Sequence, residues 1–311
     1  MLPKVLTVTL NPSIDVTLWL DQLDTDMVNR VKRETRQPGG KGINVSRVLT
    51  RSSIPTLATG IAGFDNLHAM TYVLGREGVK HRFVRTLGDI RENITLRVGK
   101  ETIKVNREGL ECSQDDLRKL MRILKEEIHP GDFCVFGGSL PQGVGFEDVK
   151  ALAQEAQSVE GIVAIDTDCL TLDQLGEIRP WLIKPNAGEF CRLVEANPQT
   201  PEEMLSYGKK VLERGISVVL LSLGSGGMLG ITSDQAILAK VPAVEAQSTV
   251  GAGDSSLAGF LAAYIRGLSF DECVRLAAAY GTASVTDQSA ELAYPNRAAE
   301  YYGRVTITQL Q

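Results

Sequence analysis

The stretch STVGAGDSS, residues 248–256, places two glycines, an alanine and an aspartate directly before the apolar run LAGFLAAY at residues 257–264. The apolar run predicts a buried helix, which we place at residues 255–267. A helix N-terminus presents unbonded backbone N–H groups and the positive end of the helix dipole, and glycines let an anion reach them. Asp254 therefore has two interpretations: it is a helix cap, or it is a base held beside a bound phosphate.

The composition is that of an ordinary globular protein. The 311 residues are 43% hydrophobic and 23% charged, with a formal net charge of -5 and a pI of about 5.4. This balance gives no basic surface for nucleic acid or an anionic membrane. No apolar run reaches the ~18 residues that span a bilayer, and the N-terminal stretch MLPKVLTVTLNP is typical of a buried strand rather than a signal peptide. We expect no nucleic-acid or membrane partner.

The cysteines and histidines form no recognisable metal or catalytic pattern. Five cysteines lie far apart without a C-x-x-C pair, and three histidines form no pair at metal-ligand spacing. Such usage is typical of reduced thiols in a cytoplasmic protein. We therefore expect neither a structural zinc site nor a histidine-based triad.

Short apolar runs alternate with helical patterns along most of the chain. This alternation predicts an α/β fold with a mostly parallel sheet that is covered by helices on both faces. The predicted strands are residues 5–10, 133–137, 162–166, 181–184 and 218–222, and the predicted helices are residues 43–50, 113–128, 146–158, 201–214, 255–267 and 270–287.

Two stretches, residues 15–38 and 93–106, break this alternation. Their apolar and polar residues alternate with a period of two, which is typical of a small antiparallel sheet with one face in water. We predict that they form a lid beside the main sheet. The apolar face of the lid needs cover, either from the closed cleft or from a second subunit, so we predict a homodimer joined partly through these segments.

Polar motifs follow the first predicted strand. NPSID, residues 11–15, ends in Asp15, which is either a solvated turn residue or an acceptor for substrate hydroxyls. PGGKGIN, residues 38–44, offers glycines for close backbone approach, Lys41 for a phosphate and Asn44 for hydroxyls. The GK[ST] order of a P-loop is absent, because Lys41 is followed by a glycine.

Three more motifs follow later predicted strands. GGSLP, residues 137–141, is either a plain turn or a wall against a substrate. KPNAGE, residues 184–189, is either a capped helix start or a site for Mg²⁺ beside nucleotide phosphates. SLGSGG, residues 222–227, either passes under phosphates or forms a hairpin, and the strand-like MLGITS that follows counts against a dinucleotide site.

Together these segments resemble the ribokinase-like sugar kinases of the PfkB type over nearly the whole chain. The most specific stretches are STVGAGDS at 248–255 and PGGKGINVSRVL at 38–49. TLNPSID with GGKGIN is similar to the branch of 1-phosphofructokinases, tagatose-6-phosphate kinases and the minor 6-phosphofructokinase. The resemblance implies a ribokinase-like three-layer α/β/α sandwich, formed by residues 1–311 as one domain with a small β-sheet lid.

The resemblance also implies the reaction and the residues that perform it. It implies transfer of the γ-phosphoryl group of ATP, with Mg²⁺, to a ketohexose phosphate, with fructose 1-phosphate first, tagatose 6-phosphate second and fructose 6-phosphate third. The implied catalytic residues are the base Asp254 and an anion hole of Gly251, Ala252 and Gly253. The implied sugar-phosphate residues are Asp15, Gly39, Gly40, Lys41, Asn44, Arg91, Ser139 and Asp254. The implied ATP residues are Lys184, Asn186, Ser222, Gly224, Ser248, Gly251 and Gly253, with Glu189 organising Mg²⁺ through water.

The chain departs from the family pattern at a few positions. Asp168 and Cys169 stand where Ser and Gly are usual, and we expect the extra carboxylate near the cleft, where it repels phosphate. Residues 60–65 keep only part of a glycine-rich pattern, and Lys104 adds a charge to a lid strand. These departures leave open a non-catalytic sugar-phosphate sensor, which would not consume ATP. An NAD(P)-linked oxidoreductase is disfavoured because no G-x-G-x-x-G opens a helix after a strand.

Overall fold

The computed structural model describes residues 2–99, 101–246, 248–286 and 292–311. In chain order the strands are β1 (Val5–Thr9), β2 (Ser13–Leu20), β3 (Arg33–Gly39), β4 (Thr56–Gly63), β5 (His81–Thr86), β6 (Arg91–Val98), β7 (Glu101–Asn106), β8 (Phe133–Gly137), β9 (Ile162–Asp166), β10 (Leu182–Ile183), β11 (Val218–Ser222), β12 (Met228–Ile231), β13 (Ala236–Lys240) and β14 (Thr306–Leu310). The helices are α1 (Lys41–Arg51), α2 (Leu67–Arg76), α3 (Gln114–Glu127), α4 (Phe146–Ser158), α5 (Leu172–Ile178), α6 (Ala187–Leu193), α7 (Pro201–Leu212), α8 (Ala252–Ile265), α9 (Phe270–Val285) and α10 (Pro295–Tyr302).

Ten strands form the main sheet in the order β14-β13-β12-β11-β10-β9-β8-β1-β4-β5. The strands from β11 to β5 are parallel to one another, and β12, β13 and β14 add an antiparallel edge. Alternate residues of one strand enter cores on opposite faces. Phe136 of β8 packs into the core with α3 and α4, whereas Val135 packs into the core with α1, α8 and α9. The predicted three-layer α/β/α arrangement is confirmed.

A second sheet, with the order β3-β2-β6-β7, forms the lid. The prediction of a purely antiparallel lid is wrong, because β2 and β6 pair in parallel. The neighbouring strands β2 and β3, and likewise β6 and β7, are antiparallel hairpin pairs. Between β3 and β6 the chain passes through α1, β4, α2 and β5, so it returns to the lid in the direction it had in β2. Alternation of apolar and polar residues with a period of two indicates a strand, but it does not show whether that strand pairs in parallel or antiparallel.

The apolar face of the lid is covered unevenly. Ile14 and Val16 of β2 pack against Met70 of α2 in a third core. On the outer strand β7, the residues Ile103 and Val105 are 38% and 51% exposed. Lys100, inside the predicted lid segment 93–106, lies outside the described residues.

Several predicted boundaries move by a few residues. Helix α8 begins at Ala252, three residues before the predicted start, with Gly251 as its N-cap. Helix α1 begins at Lys41 rather than at residue 43. Helix α9 ends at Val285, and the predicted end at Asp287 lies outside the described residues. Within the described part of the chain, no helix is long and apolar enough to cross a membrane.

Candidate active site

The predicted site residues converge at one edge of the main sheet. Because β8, β9, β10 and β11 are parallel, their carboxyl ends share this edge, where the N-terminus of α8 also lies. Ser139 follows β8, Lys184 follows β10, and Ser222 ends β11. This is the edge at which ligands of open α/β sheets bind.

Asp254 lies in the first turn of α8 and its residue is only 7% exposed. Asn44 Nδ2 of α1 donates a hydrogen bond to Asp254 Oδ2 over 2.8 Å. Burial, together with the charge of Asp166, raises the pKa of Asp254 to about 6, although Asn44, Lys184 and Lys41 act in the opposite direction. The N-cap is Gly251, which makes no side-chain cap bond, so Asp254 is not the helix cap.

The first turn of α8 presents unsatisfied donors to the site. Gly251 adopts the left-handed conformation at φ 75°, and the next intrahelical bond runs from Ser255 N to Gly251 O. The N–H of Ala252, predicted as an anion-hole donor, instead donates to the carbonyl of Thr249 over 3.4 Å, whereas the N–H groups of Gly253 and Asp254 donate to no acceptor in the part of the chain that the structure describes. A Cβ on Gly253 would lie 3.0 Å from Lys184 Nζ, so this turn faces an ammonium group. The arrangement can bind and stabilise a negative charge.

Asp166, at the end of β9, was not among the predicted site residues. Its side chain is 1% exposed and lies between two lysines, with Lys41 Nζ 2.8 Å from Oδ1 and Lys184 Nζ 3.3 Å from Oδ2. Burial opposes ionisation of Asp166, but the two ammonium groups outweigh it and hold its pKa below the ordinary value. Asp166 Oδ2 is buried and accepts no hydrogen bond among the described residues.

The structure pairs Lys41 with two carboxylates. Its Nζ lies against Asp166 and 3.7 Å from Glu189 Oε1, and the contact of Lys41 with the sugar phosphate stays a prediction. Burial favours the neutral amine, yet the charges of Asp166 and Glu189 raise the pKa of Lys41 above its ordinary value. Lys41 is therefore a cation held between the carboxylates of Asp166 and Glu189.

A separate polar group faces the site from the lid. Asp15 Oδ1 accepts hydrogen bonds from Ser13 Oγ over 2.8 Å and from Asn93 Nδ2 over 3.1 Å. A Cβ at Gly39 would collide with Asp15 Oδ2, so only glycine lets β3 pass this carboxylate. Asn93 Oδ1 is buried without a partner among the described residues. Buried polar atoms without partners are rare, and a bound water, ion or ligand is the usual explanation for one.

Arg91 continues this polar surface toward the main sheet. Its Nη2 donates to Ser139 Oγ and to the carbonyl of Asn11, each over 3.2 Å. Its Nε is buried and has no partner within the described residues. Burial lowers the pKa of Arg91, opposed by the charge of Asp15, but a guanidinium stays protonated. Arg91 keeps a donor available for an anion.

The predicted ATP residues occupy the opposite side of the cleft. Asn186 Oδ1 accepts from Glu189 N over 2.9 Å, and Glu189 Oε2 accepts from Asn186 N over 2.8 Å. The capped helix start is thus present. The second oxygen of Glu189, Oε1, takes no part in the cap and lies near Lys41 Nζ. Ser222 N donates to the carbonyl of Pro185 over 3.0 Å and ties the end of β11 to this turn.

The glycines after Ser222 form a hairpin between β11 and β12, which was one of the two interpretations of this motif. Gly224 has a φ of 60° in a short 3₁₀ turn and is exposed. Ser248 lies on the loop before α8, and its Oγ accepts from Val250 N over 3.3 Å.

A sequence profile of the pfkB family carbohydrate kinases matches residues 8–297. The chain belongs to the pfkB family of carbohydrate kinases. It is therefore a phosphotransferase that acts on a carbohydrate, and the resemblance seen in the sequence motifs is confirmed.

Individual members of this family match the chain from end to end. The 1-phosphofructokinase of Bacillus subtilis (strain 168) is 33% identical, covering 98% of this chain and 100% of that protein. The tagatose-6-phosphate kinase of Staphylococcus epidermidis is 26% identical over 98% of this chain and 100% of that protein. A crystal structure of phosphofructokinase-2 from Escherichia coli in complex with substrates and products has a TM-score of 0.90 at 28% identity, covering 97% of this chain and 99% of that one. Another structure of the Escherichia coli enzyme is its tetrameric inhibited form.

The carboxylate of Asp168 repels phosphate less than its charge alone suggests. Its Oδ2 lies 3.4 Å from Arg192 Nη2 of α6, and both side chains are largely exposed. Asp168, Cys169 and Arg192 line a cavity of about 430 Å³ that reaches Lys184 and Glu189. Because Arg192 partly neutralises Asp168, the expected repulsion of phosphate is weakened.

Proposed function

We propose that this kinase transfers the γ-phosphoryl group of ATP to fructose 1-phosphate and forms fructose 1,6-bisphosphate. The observation that carries the proposal is the buried Asp254, with a pKa of about 6, beside two unbonded N–H groups at the start of α8. A base and an anion site in the same helical turn suit phosphoryl transfer, which depends on positioning and charge neutralisation. The 1-phosphofructokinases among the relatives support the choice of sugar.

Asp254 accepts the proton of the attacking sugar hydroxyl. The hydroxyl oxygen forms a bond to the γ-phosphorus, the bond from that phosphorus to the bridging oxygen breaks, and ADP leaves with the electron pair. The hydrogen bond from Asn44 fixes Oδ2, so Oδ1 is the oxygen that takes the proton. The N–H groups of Gly253 and Asp254 stabilise the charge on the transferred group, as donors of an oxyanion hole do.

The lid side holds the sugar phosphate in this proposal. Asp15 accepts from sugar hydroxyls, and Asn93 Oδ1 takes a second one. The Nε of Arg91 binds the phosphate of the sugar, beside Ser139. Gly39 and Gly40 let the sugar approach the backbone where α1 begins. The unpartnered atoms of Arg91 and Asn93 support these roles.

The opposite side holds ATP. Lys184 and Lys41 neutralise the transferred phosphates, while Asn186, Ser222, Gly224 and Ser248 border the nucleotide. No group of three or more His, Cys, Asp or Glu side chains within the described residues could hold a metal ion alone. The carboxylates of Glu189 and Asp166 fit a Mg²⁺ ion held through water, whose charge would screen the phosphates.

We further propose that the chain acts in the cytoplasm as a homodimer joined through the lid, with residues 1–311 as one domain. The exposed apolar side chains of Ile103 and Val105 support the lid contact, and all five cysteines are unpaired thiols. The tetrameric form of the Escherichia coli enzyme is a precedent for assembly in the family.

A coupled assay of ADP release tests the proposed reaction. The acceptors are fructose 1-phosphate, tagatose 6-phosphate, fructose 6-phosphate and their unphosphorylated parents. We expect the highest kcat/KM with fructose 1-phosphate. A higher value with tagatose 6-phosphate would reassign the substrate within the family. Tight binding of a sugar phosphate without ADP release would instead support a sensor.

A further inference from the structure

Two arginines of α1 share one glutamate at the end of α2. Arg47 donates to Glu77 from Nε over 2.7 Å and from Nη2 over 2.6 Å, and Arg51 Nη2 lies 3.5 Å from the same carboxylate. The side chains of Arg47 and Arg51 are only 7% and 10% exposed, and that of Glu77 is 23% exposed. We name these three residues the Glu77 cluster. Buried charges of this kind depend on each other, because removing one leaves the others uncompensated.

Arg47 connects the Glu77 cluster to the lid. Its Nη2 donates to Gln37 Oε1 over 2.9 Å, and its Nη1 donates to the carbonyl of Pro38 over 3.3 Å. Both acceptors belong to β3, immediately before Gly39, which backs the Asp15 carboxylate. Arg47 thus holds the part of the lid that faces the sugar.

Arg51 connects the Glu77 cluster to the anion hole. Its Nη1 donates to the carbonyl of Leu292 over 2.7 Å, and its guanidinium lies 4.0 Å from the centre of the Tyr294 ring. A Cβ on Gly251 would lie 2.5 Å from Leu292 Cδ2, and Ala293 N donates to Ser255 Oγ over 3.2 Å. The segment that Arg51 holds therefore rests on the first turn of α8.

We propose that the Glu77 cluster couples the sugar-binding strand of the lid to the anion hole, so that binding of the sugar phosphate aligns the first turn of α8. The proposal rests on the proposed function. Glu77, Arg47 and Arg51 act as positioning residues, since none of them touches Asp254 or the unbonded N–H groups. A displacement of β3 moves Arg47, and the shared carboxylate passes the change to Arg51 and to the segment over Gly251. Coupling of two sites is a free energy, typically a 5–150-fold effect of one ligand on the affinity of the other.

The test compares Glu77→Gln with Glu127→Gln. Glu127 is a matched control, because it also lies beside two cations, with Lys4 Nζ at 3.4 Å and Arg82 Nη1 at 3.1 Å, and it is far from the cleft on α3. Calorimetry gives the dissociation constant of fructose 1-phosphate with and without a non-hydrolysable ATP analogue. We expect at least about fivefold tighter binding with the analogue in the wild type and in Glu127→Gln, and no effect of the analogue in Glu77→Gln. Coupling that survives in Glu77→Gln, or that is absent from the wild type, would overturn the proposal.

Hydrogen exchange of the ligand-free protein provides a readout that does not depend on the identity of the sugar. In Glu77→Gln we expect faster exchange both in β3 and at the start of α8, relative to the wild type and Glu127→Gln. Arg51→Met cuts one connection only, so exchange should rise at the start of α8 but stay unchanged in β3. If exchange rises in neither segment of Glu77→Gln, the cluster connects nothing. If the exchange results hold while no sugar phosphate binds, the proposed function fails and the connection stands.

Discussion

Asp254 and Asp166 are both buried, and the charge of Asp166 contributes to the raised pKa of Asp254. Asp254 must be ionised to accept a proton, and its pKa is raised to about 6. We expect kcat/KM of the wild type to rise with pH and to level off above this value. In Asp166→Asn one cause of the raised pKa is gone, so the acid limb should move to lower pH. A pH–rate profile of both proteins checks this, and an unmoved acid limb would show that Asp166 does not act on Asp254.

The same raised pKa predicts a cost in stability at neutral pH. The folded state favours neutral Asp254, so this contribution is present below about pH 4 and is lost as the pH rises through about 6. Asp254→Asn removes the buried charge and should raise the free energy of unfolding by about 3 kcal/mol at neutral pH. Urea unfolding at neutral pH and near pH 4 measures the difference, which should shrink at the lower pH. A variant that is less stable than the wild type at neutral pH would contradict the raised pKa.

At the residue scale, the sequence offered candidate site residues mainly in glycine-rich motifs, and the structure places two further polar residues beside them. Asp166 ends an apolar strand and has no local pattern around it, and its partner Lys41 is 125 residues away in the chain. Asn93 was predicted only as a lid residue, because its contact with Asp15 depends on the parallel register of β2 and β6. Both residues owe their place to tertiary contacts.

At the element scale, the start of α8 depends on one glycine. Gly251 and Gly267 flank α8 and have φ values of 75° and 77°. Alanine at either position should cost about 1–2 kcal/mol of stability. At Gly251 the added Cβ would also lie 2.5 Å from Leu292 Cδ2, whereas nothing lies within 4 Å at Gly267. The clash would displace the first turn of α8 and with it the N–H groups of Gly253 and Asp254, so we expect Gly251→Ala to lower kcat by about 10²-fold and Gly267→Ala to leave kcat unchanged. Equal kcat values of Gly251→Ala and Gly267→Ala in steady-state assays would show that the start of α8 takes no part in catalysis.

The elements that sequence patterns predicted best are those with long apolar periods, such as α3, α4 and α7. Strands β4 and β5 were not predicted. The sequence of β4, TLATGIAG, consists mostly of small residues without a clear period. Strand β5, with the sequence HRFVRT, lies at the edge of the main sheet, and only its Val84 is buried. Edge strands carry polar side chains on both sides, so the signal of alternation is weak.

At the scale of the whole molecule, the predicted α/β sandwich with a lid is confirmed, while the homodimer stays a prediction. Ile103 and Val105 lie on the apolar face of β7, and Thr102 lies on the other face of the same strand. We expect Val105→Asp to convert a dimer into a monomer, because it places a charge in the contact. Thr102→Asp, which adds the same charge to the opposite face, should stay dimeric. Light scattering at micromolar concentration gives the molar mass of the wild type and both variants. A monomeric wild type would contradict the lid contact.

The most direct test of the central claim is the turnover of Asp254→Asn. Asparagine keeps the shape of the side chain and can still accept the hydrogen bond from Asn44, but it cannot take the hydroxyl proton. The anion hole is made of backbone N–H groups and the lid contacts are unaltered, so ATP and fructose 1-phosphate should still bind. Loss of a general base lowers the rate by about 10²–10⁴-fold, and we expect kcat to fall at least about 10²-fold. A variant that binds both substrates and keeps more than about one tenth of the wild-type kcat would contradict the role of Asp254 as the base.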